Sequence, residues 1–224
     1  SFRNEISPKN LILRGREFTQ AEAHIIGDTN VLSTENVITD DIVCNVLDNN
    51  DGKMNEIHLS KLNISPPLYN SLILKALTIV KNLNIPNTVV RLRKHRDDER
   101  AFYARDAWDV EILLKGLGWT EIIGIHDRGT YDLRQRNKNE HVLELAIGVD
   151  RLFYAMMDSY YDNMDKSLGK TMLRIPYNLA PIKISILPLL KNKPLLIEKA
   201  VEWLSYIKSL GITVEYDERS SIGK

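Results

Sequence analysis

The first 24 residues contain two runs in which polar side chains recur at every second position, on either side of the turn-prone sequence ISPKN. The members of this alternation are Arg3 and Glu5 before the turn and Arg14, Arg16, Phe18, Gln20 and Glu22 after it. Successive side chains of a strand point to opposite faces of a sheet, so each run would present its members on one face. The pattern therefore predicts an antiparallel hairpin with a polar face that includes one aromatic ring.

Such an alternation can be simply the solvent side of a half-exposed sheet, and that interpretation stays open at this point. Two features favour a ligand instead. Phe18 lies among the charged residues and not on the apolar face, and the basic residues are arginines, whose planar guanidinium groups match phosphate oxygens. Arginines, a stacking ring and carboxylates on one face are groups that a nucleotide needs. The hairpin is therefore a candidate nucleotide site.

The composition is that of a globular protein with no net charge. Of 224 residues, 43% are hydrophobic and 27% are charged, and 30 basic residues balance 30 acidic ones, so a polyanionic partner would need a local basic cluster. The single cysteine, Cys44, excludes an intrachain disulfide and a cysteine-based zinc site. Without an apolar run of membrane-spanning length or a signal peptide, we expect a cytoplasmic protein with no membrane partner. Because Ser1 falls inside a predicted strand, we also expect residues before it in the complete protein.

The rest of the chain alternates mainly in the manner of antiparallel strands. The sequence Asn-Asn-Asp-Gly at 49–52 lies between two short apolar runs and predicts a second hairpin. Apolar residues at helical spacing over 68–83 predict a helix that begins at a Pro-Pro pair. Strands are predicted near 88–93, 108–112 and 118–133, with a solvated, charged connection between the first two. Few helices separate these strands, so the predicted fold class is α+β with an antiparallel sheet.

The last part of the chain predicts a separate unit. A strand at 182–189, a helix at 194–210 with Pro194 in its first turn, and a strand at ITVEYD have the order and spacing of a βαβ unit. We therefore divide the chain into a first domain at 1–177 and an incomplete second domain at 178–224.

Several motifs resemble those of class II aminoacyl-tRNA synthetases. The segment FRNE followed by RGREFTQAE resembles motif 2, with its specified positions at Phe2, Arg3, Glu5, Arg14, Phe18 and Glu22. HVLELAIGVDRLFYAM resembles motif 3, with its arginine at Arg151. YARDAWDVEI, GWTEIIGIHDRGTYDL and APIKISILPL resemble the glycyl-tRNA synthetase of the archaeal and eukaryotic type in particular. The resemblance implies a class II catalytic domain at 1–177 and the beginning of an α/β anticodon-binding domain at 178–224.

The resemblance also implies an ATP site on the first hairpin. Arg3 and Arg151 are the implied catalytic residues, Arg3 on the α-phosphate and Arg151 covering the adenine and reaching the γ-phosphate. Glu5 would receive the adenine amino group, Phe18 would stack on the ring, and Arg14 would grip the bent triphosphate. Mg²⁺ is expected to be held mainly by the ATP phosphates, and its protein ligands are not assigned.

For the amino acid, the resemblance implies glycine with its ammonium group among three carboxylates, Glu22, Glu121 and Glu144. Taken alone, a strand carboxylate such as Glu121 more often faces solvent. Glu144 stands between leucines, where a carboxylate is costly to bury unless a cation meets it. At Ala146 the chain has Glu-Leu-Ala-Ile-Gly where the family usually has Glu-Pro-Ser-Phe-Gly, so one substrate hydrogen bond from a serine hydroxyl is expected to be missing.

The expected macromolecular partners are the glycine-specific tRNA, tRNA(Gly), and a second copy of the chain. Arg219 and Lys224 are the candidate tRNA contacts of the second domain. The basic residues at 91–100 could touch the tRNA acceptor end, or could be a solvated rim beside the acidic residues there. Motif 1, which supplies the dimer interface in this class, is not among these residues, so we expect a homodimer with an interface partly encoded elsewhere.

The expected function is therefore that of a glycine–tRNA ligase, which makes glycyl-adenylate from ATP and glycine and transfers the glycyl group to tRNA. Two alternatives stay open. One is a non-catalytic relative that binds nucleic acid as an accessory subunit, which the presence of the ATP-binding arginines disfavours. The other is a synthetase of the same subclass that is specific for proline or threonine.

Overall fold

The computed structural model of the chain describes residues 1–33, 42–48, 51–62, 64–136, 138–165 and 170–218. The chain divides into two compact units, Ser1–Leu173 and Arg174–Lys224. This division lies near the predicted boundary between 177 and 178, and the assignment of two domains stays a prediction. No helix among the described residues is both long enough and apolar enough to cross a membrane.

The first unit is built on a seven-stranded sheet. Its strands are β1 (Gln20–Gly27), β2 (Val43–Leu47), β3 (Met54–His58), β4 (Val90–Lys94), β5 (Asp106–Leu114), β6 (Gly118–Gly129) and β7 (His141–Gly148). Their order in the sheet is β1-β7-β6-β5-β4-β2-β3. Neighbouring strands are antiparallel except for β2 and β4, which are parallel. The α+β class with an antiparallel sheet is thus confirmed.

Helices and a short hairpin complete this unit. They are α1 (Thr29–Leu32), α2 (Pro67–Asn82), α3 (Val149–Tyr160) and the hairpin of β8 (Tyr161–Asp165) with β9 (Lys170–Leu173). Proline occupies the first turn of α2, where a backbone N–H would have no hydrogen-bond acceptor within the helix. The sequence predicted α2 and the strand pairs, but it did not predict α3 or the β8–β9 hairpin.

One face of the sheet forms the hydrophobic core. Ile112, Ile123, Ile125 and Leu143 of β5 to β7 are fully buried, and Leu72, Ile73, Ala76 and Leu77 of α2 belong to the same cluster. Each large apolar side chain buried in this way contributes about 1.5–3 kcal/mol. Since side chains alternate along a strand, the residues between these apolar positions point to the opposite face. The opposite face of β1, β6 and β7 is where the polar residues lie.

The first hairpin is less regular than predicted. The two runs are antiparallel, but they meet only in isolated bridges, Phe2 with Glu17 and Lys9 with Arg14, around a 3₁₀ turn at Leu11–Leu13. The prediction of a strand from Arg14 onward was wrong, because β1 begins only at Gln20 and pairs with β7. The backbone of the preceding residue, Thr19, is bound instead to the start of α3.

The charged connection between β4 and β5 is exposed at Arg96, Asp97 and Asp98, as expected of the predicted solvated segment, and it also contains ion pairs. Arg93 donates to Glu99 at 2.6 Å, and the ring of His95 lies 2.6 Å from the Asp109 carboxylate. Hydrogen bonding to Asp109 raises the pKa of His95. The segment is therefore a network of ion pairs anchored to the sheet.

The second unit contains the predicted βαβ unit. Strands β10 (Ile184–Ile186) and β11 (Val214–Tyr216) are parallel, and α4 (Pro194–Ser209) lies between them in the chain. β10 is shorter than the predicted strand at 182–189. Arg219 and Lys224 lie outside the described residues.

Tyr69 makes one polar contact inside the hydrophobic core, and we expect this contact to contribute to the stability of the fold. Its side chain is fully buried, and its hydroxyl donates to the carbonyl of Ile125 at 2.9 Å. Tyr69→Phe should lower the free energy of unfolding by about 1–2 kcal/mol, because it removes the only polar group of a close-packed ring. Urea unfolding followed by circular dichroism measures the loss. The half-exposed Tyr161→Phe is the control and should change stability by less than about 0.5 kcal/mol, and equal effects of the two variants would contradict this prediction.

Candidate active site

A cavity of about 620 Å³ opens between the first 24 residues, the polar face of β1, β6 and β7, and the start of α3. All of the residues that the sequence assigned to ATP or to the amino acid line it, namely Arg3, Glu5, Arg14, Phe18, Glu22, Glu121, Glu144, Ala146 and Arg151. The structure thus brings together residues that are up to 148 positions apart in the chain (151 − 3). Their individual roles stay predictions.

The floor of the cavity consists of two cross-strand rows. In one row, Ala146 of β7 has Glu22 and Gly124 as its neighbours on β1 and β6. In the next row, Glu144 has His24 and His126 in the same positions. A Cβ atom on Gly124 would come within 2.9 Å of the His126 ring, so glycine is needed for the ring to lie across that strand.

Glu144 is the most buried charged group of this floor, with 7% of its surface exposed. Nη1 of Arg128 donates to its Oε2 at 2.6 Å, and Nε2 of His24 lies 3.8 Å from the same oxygen. Nδ1 of His126 lies 3.3 Å from Oε1 but outside hydrogen-bonding geometry. The His126 ring and the Arg128 guanidinium hold the pKa of Glu144 at about 2, against the opposing effect of burial.

Arg128 is itself held on three sides. Its guanidinium donates two hydrogen bonds of 2.7 Å to Asp132, bonds Glu144, and lies 4.2 Å from the centre of the Tyr103 ring. The hydrogen bonds to Asp132 and Glu144 raise the pKa of Arg128 and keep it charged, and Arg128 in turn lowers the pKa of Asp132. The orientation of the buried carboxylate is thereby determined by a fixed cation.

The rim of the cavity comes from the irregular hairpin. Nε of Arg14 bonds Oε2 of Glu5 at 3.0 Å, and this bond lowers the pKa of Glu5. Nε of Arg16 donates to the backbone carbonyl of Glu5 at 3.1 Å. The guanidinium carbon of Arg3 lies 5.2 Å from the centre of the Phe18 ring. Guanidinium groups and an aromatic ring therefore meet at the entrance.

The start of α3 fixes this rim to the sheet. The backbone N–H of Thr19 donates to the Asp150 carboxylate at 2.7 Å, and that of Val149 donates to the Thr19 carbonyl at 3.0 Å. Nε of Arg151 donates to the carbonyl of Leu13 at 3.1 Å, and its Nη1 lies 3.4 Å from the Glu121 carboxylate. The first turn of α3 thus binds both the loop and the end of β1.

Each carboxylate that was predicted to surround an ammonium group has an arginine or a histidine nearby in the structure. Arg128 bonds Glu144, Arg151 approaches Glu121, and Nε2 of His24 lies 3.6 Å from Glu22. The side chains of Glu22 and Glu121 are about half exposed, whereas that of Glu144 is buried. The first two are accessible to a ligand, and Glu144 serves mainly to set the charge beneath them.

The sequence is similar to those of several glycine–tRNA ligases. The chain matches a glycine–tRNA ligase of Mycoplasmopsis synoviae with 32% identity, over 100% of this chain and 46% of the relative. It matches glycine–tRNA ligases of Thermococcus gammatolerans and Pyrococcus furiosus with 24% and 25% identity, over 100% of this chain and 56% and 57% of the relatives. No family model matches the chain.

Solved structures agree in fold. A prolyl-tRNA synthetase of Cryptosporidium parvum complexed with L-proline and AMP has a TM-score of 0.70 and 15% identity, over 99% of this chain and 42% of that chain. A Giardia lamblia prolyl-tRNA synthetase in complex with prolyl-adenylate has a TM-score of 0.67 and 15% identity, over 99% and 40%. The chain is thus similar over its whole length to glycine–tRNA ligases, and its fold is that of these two prolyl-tRNA synthetases.

The chain spans about half the length of the curated relatives that it matches. The alignment with the Thermococcus gammatolerans ligase extends over 325 residues although the chain has 224, so at least 101 positions (325 − 224) have no counterpart in it. With the Mycoplasmopsis ligase, the alignment extends over 244 residues. Over the aligned region the chain is therefore shorter than the archaeal proteins.

Several groups of the cavity were not predicted from the sequence. Arg128, His126 and His24 lie against the predicted carboxylates, and Asp150 binds the backbone of Thr19. The signal was present in GIHDRG, where Gly, His and Arg recur at every second position like the residues of the first hairpin. Their partners lie on other strands and could not be identified from spacing.

The basic residues at 91–100 have structural partners. Arg91 bonds Glu111 at 2.6 Å in a half-buried pair, and Lys94 lies 3.1 Å from Asp106. Arg100 lies 3.0 Å from Asp97. Because carboxylates neutralise these cations, the solvated or ion-paired interpretation is favoured over a tRNA contact there.

The pKa of Glu144 predicts a pH-dependent contribution to stability. A folded pKa of about 2, below the ordinary 4.5, means that the ionised group stabilises the fold fully above about pH 4.5 and that this stabilisation is lost as the pH falls towards 2. Glu144→Gln should therefore unfold more easily than wild type at pH 7, and the difference should shrink as the pH falls below 4.5. Urea unfolding at several pH values measures the difference.

Glu56→Gln, which changes an exposed carboxylate of β3, is the matched control and should differ little from wild type throughout. A gap between wild type and Glu144→Gln that stays constant from pH 7 to pH 3 would show that the ion pair has no part in the stability of the fold.

Proposed function

We propose that this chain forms the adenylate-forming site of a glycine–tRNA ligase, which activates glycine with ATP and transfers the glycyl group to tRNA(Gly). The supporting observation is the single cavity in which arginines, an aromatic ring and three carboxylates meet. The curated relatives that align with the whole of this chain are glycine–tRNA ligases. The chemistry needs no protein nucleophile, because positioning of the reactants and stabilisation of charge are sufficient.

ATP would occupy the rim. Arg3 and Arg14 would face the phosphates, and Phe18, which lies under the Arg3 guanidinium, would stack on the adenine. Glu5 would receive the adenine amino group from the position where Arg14 fixes its carboxylate. Arg151 would turn its Nη1, which donates to the Glu121 carbonyl at 2.9 Å, towards the γ-phosphate, while its bond to Leu13 keeps it at the rim.

Glycine would lie on the floor below. The half-exposed carboxylates of Glu22 and Glu121 are the accessible acceptors for its ammonium group, and the ionised Glu144 adds negative charge from beneath. An oxygen of the glycine carboxylate would then attack the α-phosphorus, and the bond to the pyrophosphate oxygen would break. Arg3 would neutralise the charge that develops there.

Mg²⁺ would reach the site on the phosphates of ATP and neutralise part of their charge. Among the described residues, no group of three or more His, Cys, Asp and Glu side chains is placed to hold a metal ion. In the second step, a hydroxyl of the terminal ribose of tRNA attacks the glycyl carbonyl carbon, and AMP leaves. We extend the proposal to a homodimer in the cytoplasm, with tRNA as the macromolecular substrate and anticodon contacts from the second unit.

Amino-acid-dependent ATP–pyrophosphate exchange tests the proposal on the full-length protein. Exchange is expected with glycine and not with alanine, serine, proline or threonine. Arg3→Ala should lower the rate roughly 100- to 1,000-fold, because it removes a donor to the charge that develops in the transition state. Arg96→Ala, at an exposed ion pair on the protein surface, is the matched arginine control and should leave the rate unchanged.

Exchange with proline or threonine alone would assign the chain to a sister synthetase. An absence of exchange with every amino acid, in folded protein with tRNA present, would rule out the ligase and favour an accessory nucleic-acid-binding subunit.

Ala146 provides a test of the amino-acid site. Its side chain lies in the same cross-strand row as Glu22 and Gly124, at the position where a serine hydroxyl would face glycine. Ala146→Ser should lower the KM for glycine about fivefold, the equivalent of one neutral hydrogen bond of roughly 1 kcal/mol, and should leave the KM for ATP unchanged. Ala21→Ser, on the opposite face of β1, is the control. An unchanged KM for glycine in the Ala146 variant would show that glycine does not lie over this row.

A further inference from the structure

Three aromatic rings, one exposed and two half-buried, form a cluster at the edge of the cavity, and the adenylate chemistry makes no use of it. Phe102 contacts Tyr103 and Tyr131 edge to face, with ring centres 5.4 and 5.6 Å apart. Tyr103 and Tyr131 are 6.4 Å apart, so the three rings are mutually in contact. Phe102 is 84% exposed, which is unusual for a phenylalanine that has neighbours to pack against. We refer to Phe102, Tyr103 and Tyr131 as the aromatic platform.

Guanidinium groups lie against the platform. Arg128 lies over the Tyr103 ring at 4.2 Å, and Arg134 lies over the Tyr131 ring at 4.7 Å. Arg105, two residues after Tyr103, packs its aliphatic chain against Gly129, where a Cβ atom would come within 2.4 Å of it. Within the part of the chain that the structure describes, no carboxylate lies within ion-pair distance of Arg105 or Arg134. No described carboxylate therefore neutralises the positive charge of Arg105 and Arg134.

The platform is continuous with the cavity. Tyr103 and Arg128 both line the cavity, and the Tyr103 ring lies 6.3 Å from the ring of His126 on its floor. Phe102 and Tyr131 extend the same cluster to the outer surface. A flexible, negatively charged chain that leaves the cavity on this side would pass over these rings and unpaired guanidinium groups.

These are the groups that bind single-stranded nucleic acid. Unpaired bases stack on aromatic rings and arginine planes with little sequence preference, and the phosphates between them need cations that are not already paired. A protein partner would need a larger apolar area and would gain little from cations without carboxylates nearby. Rings and unneutralised arginines together favour RNA.

We propose that the aromatic platform, with Arg105 and Arg134, binds the unpaired nucleotides at the 3′ end of the tRNA and directs the terminal ribose into the cavity. This inference rests on the proposed function, since it assigns the place where the second substrate enters. The stacking rings would hold the bases outside the cavity, and the arginines would hold the phosphates between them.

The test compares two reactions of the full-length protein, because ATP–pyrophosphate exchange needs no tRNA whereas aminoacylation does. Phe102→Leu keeps an apolar side chain of similar size but removes the ring. It should lower kcat/KM for tRNA roughly 5- to 100-fold, the effect of losing one stacked base, and should leave glycine-dependent exchange unchanged. Phe102→Tyr should retain wild-type aminoacylation because it retains the ring, and Arg134→Ala should resemble Phe102→Leu.

Tyr161→Ala is the matched aromatic control. The carbonyl of Tyr161 binds Lys115 beyond the far end of β5, roughly 30 Å from the platform at about 3.3 Å per residue of strand. This control should leave both reactions unchanged.

A second readout does not depend on catalysis. A tRNA with the fluorescent base 2-aminopurine near its 3′ end should lose fluorescence when it binds wild-type protein, because stacking quenches the probe, and Phe102→Leu should abolish the quenching. This measurement tests whether the aromatic platform binds the 3′ end of tRNA, even if glycine-dependent exchange fails and the proposed function is wrong.

Wild-type aminoacylation and quenching in Phe102→Leu would overturn the inference. If Phe102→Leu changed the mass of the assembly measured by sedimentation but not the aminoacylation of tRNA, that result would also overturn the inference and would assign the rings to a protein interface. Equal loss of exchange and aminoacylation in Phe102→Leu would indicate a structural role for the ring and would equally contradict the proposal.

Discussion

The site depends on one ion pair, that between Arg128 and the buried carboxylate of Glu144. An unpaired charge at that depth would cost several kcal/mol, and the group would take up a proton instead. With the His126 ring at 3.3 Å and Arg128 at 2.6 Å, the pKa of Glu144 is about 2 and the floor keeps its negative charge at neutral pH. Because Arg128 is also bound by Asp132 and lies against Tyr103, the same cation joins β6, β7 and the loops that follow and precede the strands.

The sheet separates two chemical environments on its two faces. Isoleucines and leucines of β5 to β7 pack in the core with α2, while the intervening residues form the polar floor. The cross-strand rows make this possible, since antiparallel pairing aligns Glu144 with a histidine on each side. A shift of register by one residue would place the carboxylates in the core, so the apolar packing on one face determines the arrangement of charges on the other.

The rim is joined to this floor by contacts that are distant in sequence. Asp150 holds the backbone of Thr19, and Arg151 holds the carbonyl of Leu13, so the start of α3 positions the irregular hairpin. β1 begins only at Gln20, and the backbone of Thr19 immediately before it is bound by α3.

Local pattern was sufficient for much of this protein. The period of two in the first 24 residues identified Arg3, Glu5, Phe18 and Glu22, and the alternation of apolar residues identified the antiparallel sheet, because side-chain direction in a strand depends only on position. Turn residues and prolines placed α2 and the βαβ unit for the same local reason.

Only the tertiary structure decided which charges meet. Arg128, His126 and His24 contact Glu144 from β6 and β1, and their distances depend on strand order and register, which the spacing of residues along the chain does not specify. The role of the start of α3 could not be predicted for a similar reason. Asp150 binds the backbone of Thr19, which is 131 positions away in the chain (150 − 19). Sequence determined the chemical groups and the face on which each would lie, and folding determined their partners, because electrostatic interaction depends on distance in space.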